Sequence, residues 1–347
     1  MPRAPITALL AAALGALGAL RAQPPGGWVP QRTAARAEFR SLSTAGAQVA
    51  WAGGKGGAYA VTADGGRTWR VDSVPGAARL FFTGAHAVSA TAAYLLGTDF
   101  DGGLARIYST SDGGRSWKQQ WQMADSGTFM DGLACWSAER CVAFGDPVGG
   151  RFVVVTTASG GRTWTRVPAA SVPAVLPGEA AFAASGAAIA VRPGGRAWIG
   201  TGGGALARVL RSADYGRTWT AAETPMPAGK TAGIFALAFR DALHGVAVGG
   251  DYGRPREGGS NVLATSDGGR TWRVVGSALP AGVRYGVSWL PGTRAYVAVG
   301  PSGSGRSDDE GRTWTPIDTV GFNTVRFVTP RIGWAAGVGG KIAKFRE

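Results

Sequence analysis

Three carboxylates sit in or beside glycine-containing stretches that could hold them over a cleft. They are Asp146 in FGDPVGG (144–150), Glu179 in PGEAAFAAS (177–185) and Asp251 in VGGDYGRPREGG (248–259). Two carboxyls about 5–5.5 Å apart would suit retaining glycoside hydrolysis, and about 6.5–9.5 Å inverting hydrolysis. Little else in the chain could do chemistry. Two histidines, His86 and His244, and two cysteines, Cys135 and Cys141, leave scant material for a zinc site or a His-based nucleophile. No metal is expected. No cofactor is expected either, because no G-x-G-x-x-G opens a helix after a strand. Cys135 and Cys141 flank WSAER, a hairpin-like connection whose paired strands would bring them within disulfide reach. Two free buried thiols are the other reading.

The elements that must position these groups are set by a repeat. S/T-x-D-x-G-x-T/S-W returns at 62–69, 110–117, 157–164, 212–219, 265–272 and 307–314. Its aspartates are Asp64, Asp112, Asp214, Asp267 and Asp309, with Ser159 in the third copy. Its tryptophans are Trp69, Trp117, Trp164, Trp219, Trp272 and Trp314, spaced by 48, 47, 55, 53 and 42 residues. Periods of this length mean supersecondary units that bury their faces on one another. The octamer has the chemistry of a turn. Asp accepts backbone N–H groups across the bend, Gly supplies positive φ, Thr resumes a strand and Trp plugs the space between sheets.

Before each octamer comes an alternating strand, a short turn and a small-residue strand ending in glycine, as in FALAFRDALHGVAVGG (235–250). Two strands there and two around the octamer make four per period. The expectation is an all-β chain, a seven-bladed β-propeller of four-stranded antiparallel blades. The C-terminal blade (about 322–347) has only three strands of its own, so residues 28–33 are expected to add the outer one. A six-bladed ring with residues 23–38 as an arm is the alternative. The composition agrees. Glycine, 57 of 347 residues, is more than double the usual share of about 7%, and 45% hydrophobic against 17% charged residues allows a large core.

Residues 1–22, MPRAPITALLAAALGALGALRA, have a basic start, a 15-residue uncharged, mostly apolar run and a small residue, Ala22. This is the pattern of a signal peptide, the run being short for a membrane span of about 20 residues; an uncleaved anchor is the other reading. The chain is therefore expected to be exported, periplasmic or extracellular, leaving one domain over 23–347. The net charge is +14, and 31 of the 36 basic residues are Arg. That favours anionic partners. The arginines are spread rather than gathered in a stripe, so nucleic acid is not expected.

The octamers resemble the Asp-box, or BNR, repeat of sialidases and related propellers. VAWAGGKGGAYAVTADGGRTW (49–69), echoed by GWAAGVGGKIAKF (333–345), looks like the Ycf48/Hcf136-like photosystem II assembly-factor family and its bacterial relatives. The resemblance covers about residues 38–347. It implies that the octamer residues are structural and peripheral. Ligands would then bind on the opposite face, where second-to-third-strand loops and blade-to-blade loops converge. That geometry selects Lys55, Asp99, Asp101, Asp131, Asp146, Glu179, Lys230, Asp251, Tyr252, Arg254, Glu257, Arg284, Tyr285, Phe322 and Asn323. Two functions follow. One is a non-catalytic, monomeric propeller that binds a protein partner, with a membrane-associated one in view, as an assembly or stability factor for an envelope or membrane complex. Lys55, Arg254 and Arg284 would make its charge contacts, and Tyr252, Tyr285 and Phe322 its apolar ones. The alternative is a glycoside hydrolase using Asp146, Glu179 and Asp251 on a glycan. The Arg-Ile-Pro signature of sialidases is missing, since neither GRPRE (253–257) nor TPRIG (329–333) matches it.

Overall fold

The computed structural model describes residues 26–101, 103–125 and 127–346. The expected signal segment 1–22, with its cleavage point near Ala22, lies outside the described residues. Seven four-stranded antiparallel sheets form the blades. Blade one runs from Phe39–Ala45 through Val49–Gly54 and Ala58–Thr62 to Arg70–Ser73. Blades two to six occupy 81–123, 130–166, 189–224, 232–276 and 286–318 in the same order. The seventh combines Thr324–Thr329, Ile332–Ala336 and Ile342–Arg346 with Gly27–Pro30, which pairs Trp28 opposite Phe345. Ring closure thus joins the two ends of the chain. Among the described residues the helical segments are two single 3-10 turns, Ala169–Ser171 and Val338–Gly340.

Burial grades outward across each blade. Tyr296–Gly300, a second strand, is buried throughout, whereas Lys118–Met123, an outer strand, is mostly solvated. A second strand sits between two neighbouring sheets and buries both faces, so small and apolar residues run on without strict alternation. Gly53 shows how close the sheets come: a Cβ there would lie 2.7 Å from Cβ of Phe82 in the next blade. Seven apolar clusters fill the seven blade interfaces. The octamer tryptophans belong to them. Trp117 packs against Trp51 and Tyr59 of the preceding blade, at 5.9 and 5.2 Å between ring centroids. Cys135 and Cys141 face each other directly in the strand register of blade three and form a disulfide.

The octamers fold as one repeated turn. In the first, Thr62 Oγ1 donates to Asp64 Oδ1 (2.9 Å) and accepts the Gly66 amide (2.9 Å). Asp64 in turn accepts the Thr68 amide (3.0 Å) and hydroxyl (2.6 Å). The donors come from the turn itself, so each aspartate is spent locally on the rim. Hydrogen bonds from the Thr68 hydroxyl and amide hold the Asp64 carboxyl well below the usual carboxylate range.

Candidate functional site

The inner strands of four blades share a defect, and in two of them it sets a side chain at the channel mouth. Each is bulged near its start, leaving one residue out of register: Arg40, Thr83, Asp131 and Phe235. Tyr285 and Asn323 immediately precede the inner strands of blades six and seven. A bulge re-aims one side chain and strengthens the local twist. Arg40, Phe235, Tyr285 and Asn323 consequently meet around a mouth cavity of about 400 Å³. Loop residues complete it: Phe100 and Phe129 on one side, Phe182, Lys230 and Tyr252 on the other, and Asp146 from the second strand of blade three.

The cavity is chiefly aromatic. Phe182 stacks on buried Phe235 at 4.4 Å, Tyr252 stands edge-on to both at 6.0 and 6.2 Å, and Tyr285 lies 5.6 Å from Phe235. Across the mouth, Phe100 packs on Phe129 at 4.8 Å and on Phe81 at 5.3 Å. The Arg40 guanidinium lies 4.9 Å from the Phe81 centroid and 5.8 Å from that of Phe100, paired with Glu38 at 2.8 Å. Phe100 and Tyr252 remain 47% and 46% exposed, more than large apolar or amphipathic rings need be.

The carboxylates take separate roles. Asp146 opens onto the cavity; its Oδ1 accepts the Ala181 amide at 2.9 Å, and burial raises its pKa to about 6. Beside it, Asp131 is fully buried with neither oxygen hydrogen-bonded, and burial together with the Asp146 charge pushes it well above the usual carboxylate range. Glu179 corrects the expectation of a mouth carboxylate. It is buried inside blade four, where Arg208 donates to both of its oxygens, Thr201 Oγ1 donates at 2.7 Å and the Leu176 amide at 2.9 Å. Asp251 is spoken for as well. It accepts Thr231 Oγ1 (2.6 Å), the Gly253 amide (2.8 Å) and Arg254 Nε (3.0 Å), and these partners, the Thr231 hydroxyl first, lower its pKa. The set Asp146, Glu179 and Asp251 therefore offers one carboxyl to the cavity, not an acid/base pair.

Other expected site residues are distributed as follows. Tyr252, Tyr285, Lys230 and Asn323 line the mouth. Lys55 and Arg254 are exposed on loops, Arg254 bridging Asp251 and Glu257. Asp99 is buried against Arg79 at 2.7 Å and accepts the Asp101 amide. Two residues expected as contacts are structural. Arg284 is wholly buried and donates to the carbonyls of Gly282, Gly303 and Ala281. Phe322 is buried with its centroid 5.5 Å from that of Trp28. The sequence expectation missed Arg40 and Phe235, on inner strands, and Phe100, Phe129 and Phe182, in the loops. A positional signal existed for Arg40 and Phe235, which stand in the first half of their inner strands.

At the other end of the channel, on the side of the octamer turns, a cavity of about 290 Å³ is lined by Arg192, Arg326, His86 and Trp289. Arg192 donates to the Phe239 carbonyl and lies over Trp289 at 4.7 Å. Burial, helped by the Arg326 charge, lowers the His86 pKa to about 4, so the ring is neutral near pH 7.

These features define a propeller with an aromatic mouth and no assembled catalytic set among the described residues. The chain matches no protein-family model and none of the curated proteins. Solved structures do match its fold. YCF48 bound to a D1 peptide shares 16% identity over 95% of this chain and 99% of its own, with a TM-score of 0.65. YCF48 from Cyanidioschyzon merolae matches at 16% identity over 92% and 99%, TM-score 0.66. A third, U3-55K, matches at 11% identity over 92% and 98%, TM-score 0.64. Likeness at such identities establishes the seven-bladed architecture and leaves function to the site.

Proposed function

We propose that this chain is an exported, non-catalytic propeller that docks a segment of another polypeptide at its aromatic mouth, as an assembly or stability factor for an envelope or membrane complex. The observation that carries the reading is the convergence of aromatic side chains from several blades on one open cavity, two of them left about half-exposed. Aromatic side chains in a concave site are what binding hot spots use. A YCF48 propeller of the same fold has been solved with a D1 peptide bound, which supports a polypeptide ligand here. The carboxylates speak against hydrolysis, since Glu179 is neutralised by Arg208 and Asp251 is engaged by Thr231 and Arg254.

The test is photo-crosslinking from position 252 in the chain lacking residues 1–22, incubated with envelope proteins of the source cell. One dominant polypeptide should be captured, and Phe182→Ala should abolish its capture. Turnover of any glycan that Asp146→Asn removes would overturn the reading. Export has its own check: the mature protein should begin at Gln23, as read by N-terminal sequencing of the exported product.

A further inference from the structure

The two halves of the mouth are built alike but occupied differently. In one half, Arg40 lies over Phe81 and Phe100 with Glu38 as its counter-ion. This is a cation on aromatic faces backed by a carboxylate. In the other half, Phe182, Tyr252 and Tyr285 surround Phe235, and Asp146 supplies a carboxyl in the same cavity. Among the described residues, no Lys or Arg lies over any of these four rings. Asp146 Oδ2 accepts no hydrogen bond there, and the neighbouring Asp131 is wholly buried with both oxygens unpaired. Buried carboxyls are ordinarily paired or hydrogen-bonded. Rings and carboxyl together lack only the positive group that the first half already holds.

We infer that this half of the mouth receives a lysine or arginine side chain of the docked polypeptide, held on Phe182, Tyr252 and Tyr285 and neutralised by Asp146. The inference rests on the docking function proposed above and specifies what the partner must present. Two cations on the same cavity oppose it: Arg40, already paired with Glu38, and Lys230, exposed and without an ion-pair partner among the described residues. That opposition gives the test its sign.

Capped nonapeptides of Gly and Ser with a single central Lys, Arg, Leu or Glu would be titrated calorimetrically into the chain lacking residues 1–22, at low ionic strength. The Lys and Arg peptides should bind about tenfold more tightly than the Leu peptide, and the Glu peptide most weakly. Asp146→Asn, which preserves shape and the Ala181 hydrogen bond, should weaken the Lys peptide roughly tenfold. Lys230→Ala should strengthen it a few-fold. Tighter binding of the Glu peptide, with Lys230→Ala weakening it, would overturn the inference in favour of an anionic group. Equal binding of Leu and Lys peptides, indifferent to Asp146→Asn, would overturn it in favour of a purely apolar contact. No binding of the Lys and Arg peptides at millimolar concentration would overturn it too. In all three outcomes the docking function stands or falls separately, on the crosslinking from position 252.

Discussion

At the scale of single residues, the octamer turns vary in informative ways. Ser159 stands where the other copies have Asp, and its hydroxyl still reaches the Thr163 amide and hydroxyl, each at 3.1 Å. The corresponding bonds to Asp267 include a 2.6 Å contact from the Thr271 hydroxyl. Charge-assisted hydrogen bonds are shorter and stronger than neutral ones. Ser159→Asp is therefore expected to stabilise the fold by about 0.5–1 kcal/mol, and Asp267→Ala to destabilise it by about 1 kcal/mol, both read by denaturant midpoints. Two copies replace the first glycine of the turn: Tyr215 and Glu310 hold φ of 65° and 64°. That conformation costs a non-glycine residue about 1–2 kcal/mol, and both side chains find offsetting contacts. Tyr215 stands edge-on to Trp136 at 5.3 Å and lies under Arg140, while Glu310 pairs with Arg240 at 3.0 Å. Glu179 is held more firmly than any rim residue. Glu179→Ala would leave Arg208 buried without its counter-ion and should cost about 3–5 kcal/mol, whereas a mouth carboxylate could be removed at little cost. A denaturant titration separates the two.

At the scale of elements, the octamer made strand pairing legible, because its Asp, Gly and Trp each answer one requirement of a tight turn between buried strands. Blade number followed from counting periods and from the missing fourth strand at the C-terminus. The seam is Gly27–Pro30, a little shorter than the 28–33 anticipated. Trp28 anchors it against Phe322, Phe327 and Phe345 at 5.3–5.9 Å, and its Nε1 donates to Ser304 Oγ of blade six. Trp28→Ala should lower stability by about 2–3 kcal/mol and speed exchange of the Ile342–Arg346 amides before those of other blades, as hydrogen exchange would show. The mouth was less legible. Loop position selected Tyr252 and Tyr285 but also Glu179, Arg284 and Phe322, which tertiary partners draw into the interior. No local pattern distinguishes a loop arginine that will meet solvent from one that will bond three carbonyls. The bulges at Arg40, Asp131 and Phe235 arise where inner strands converge on the axis, and that convergence is a property of the ring rather than of any one blade.

At the scale of the whole molecule, titrating groups divide between rim and axis with opposite effects on stability. On the rim, hydrogen bonds hold Asp64 and Asp112 below their ordinary pKa; at Asp267 burial raises the value, but bonds from Thr271 outweigh it and bring it to about 2. These groups bind fewer protons folded than unfolded near pH 3–4, so what they contribute is present above about pH 4 and lost as the pH falls through their folded values. On the axis the sign reverses. Burial brings Asp146 to about 6 from an ordinary 3.8 and carries Asp131 higher than its usual range. Their folded forms keep protons that the unfolded chain has released, so their contribution is full below about pH 4; that of Asp146 is lost as the pH rises through 6, and that of Asp131 as the pH rises through its own raised value. Net stability should therefore fall at both extremes, and the two limbs should answer to different mutations. Asp146→Asn removes the axial titration while keeping the bond from the Ala181 amide. It should raise stability at pH 7–8 by about 1–2 kcal/mol, discounting for the exposure of Asp146 to the cavity, and leave stability at pH 4 unchanged. Parallel Tm curves for the two proteins from pH 4 to 8 would show that Asp146 is solvated like a surface carboxylate. A bound Lys peptide gives the complementary signature: it should raise the Tm of the wild-type protein more at pH 7 than at pH 5, because only the ionised Asp146 attracts it, and do so only weakly for Asp146→Asn.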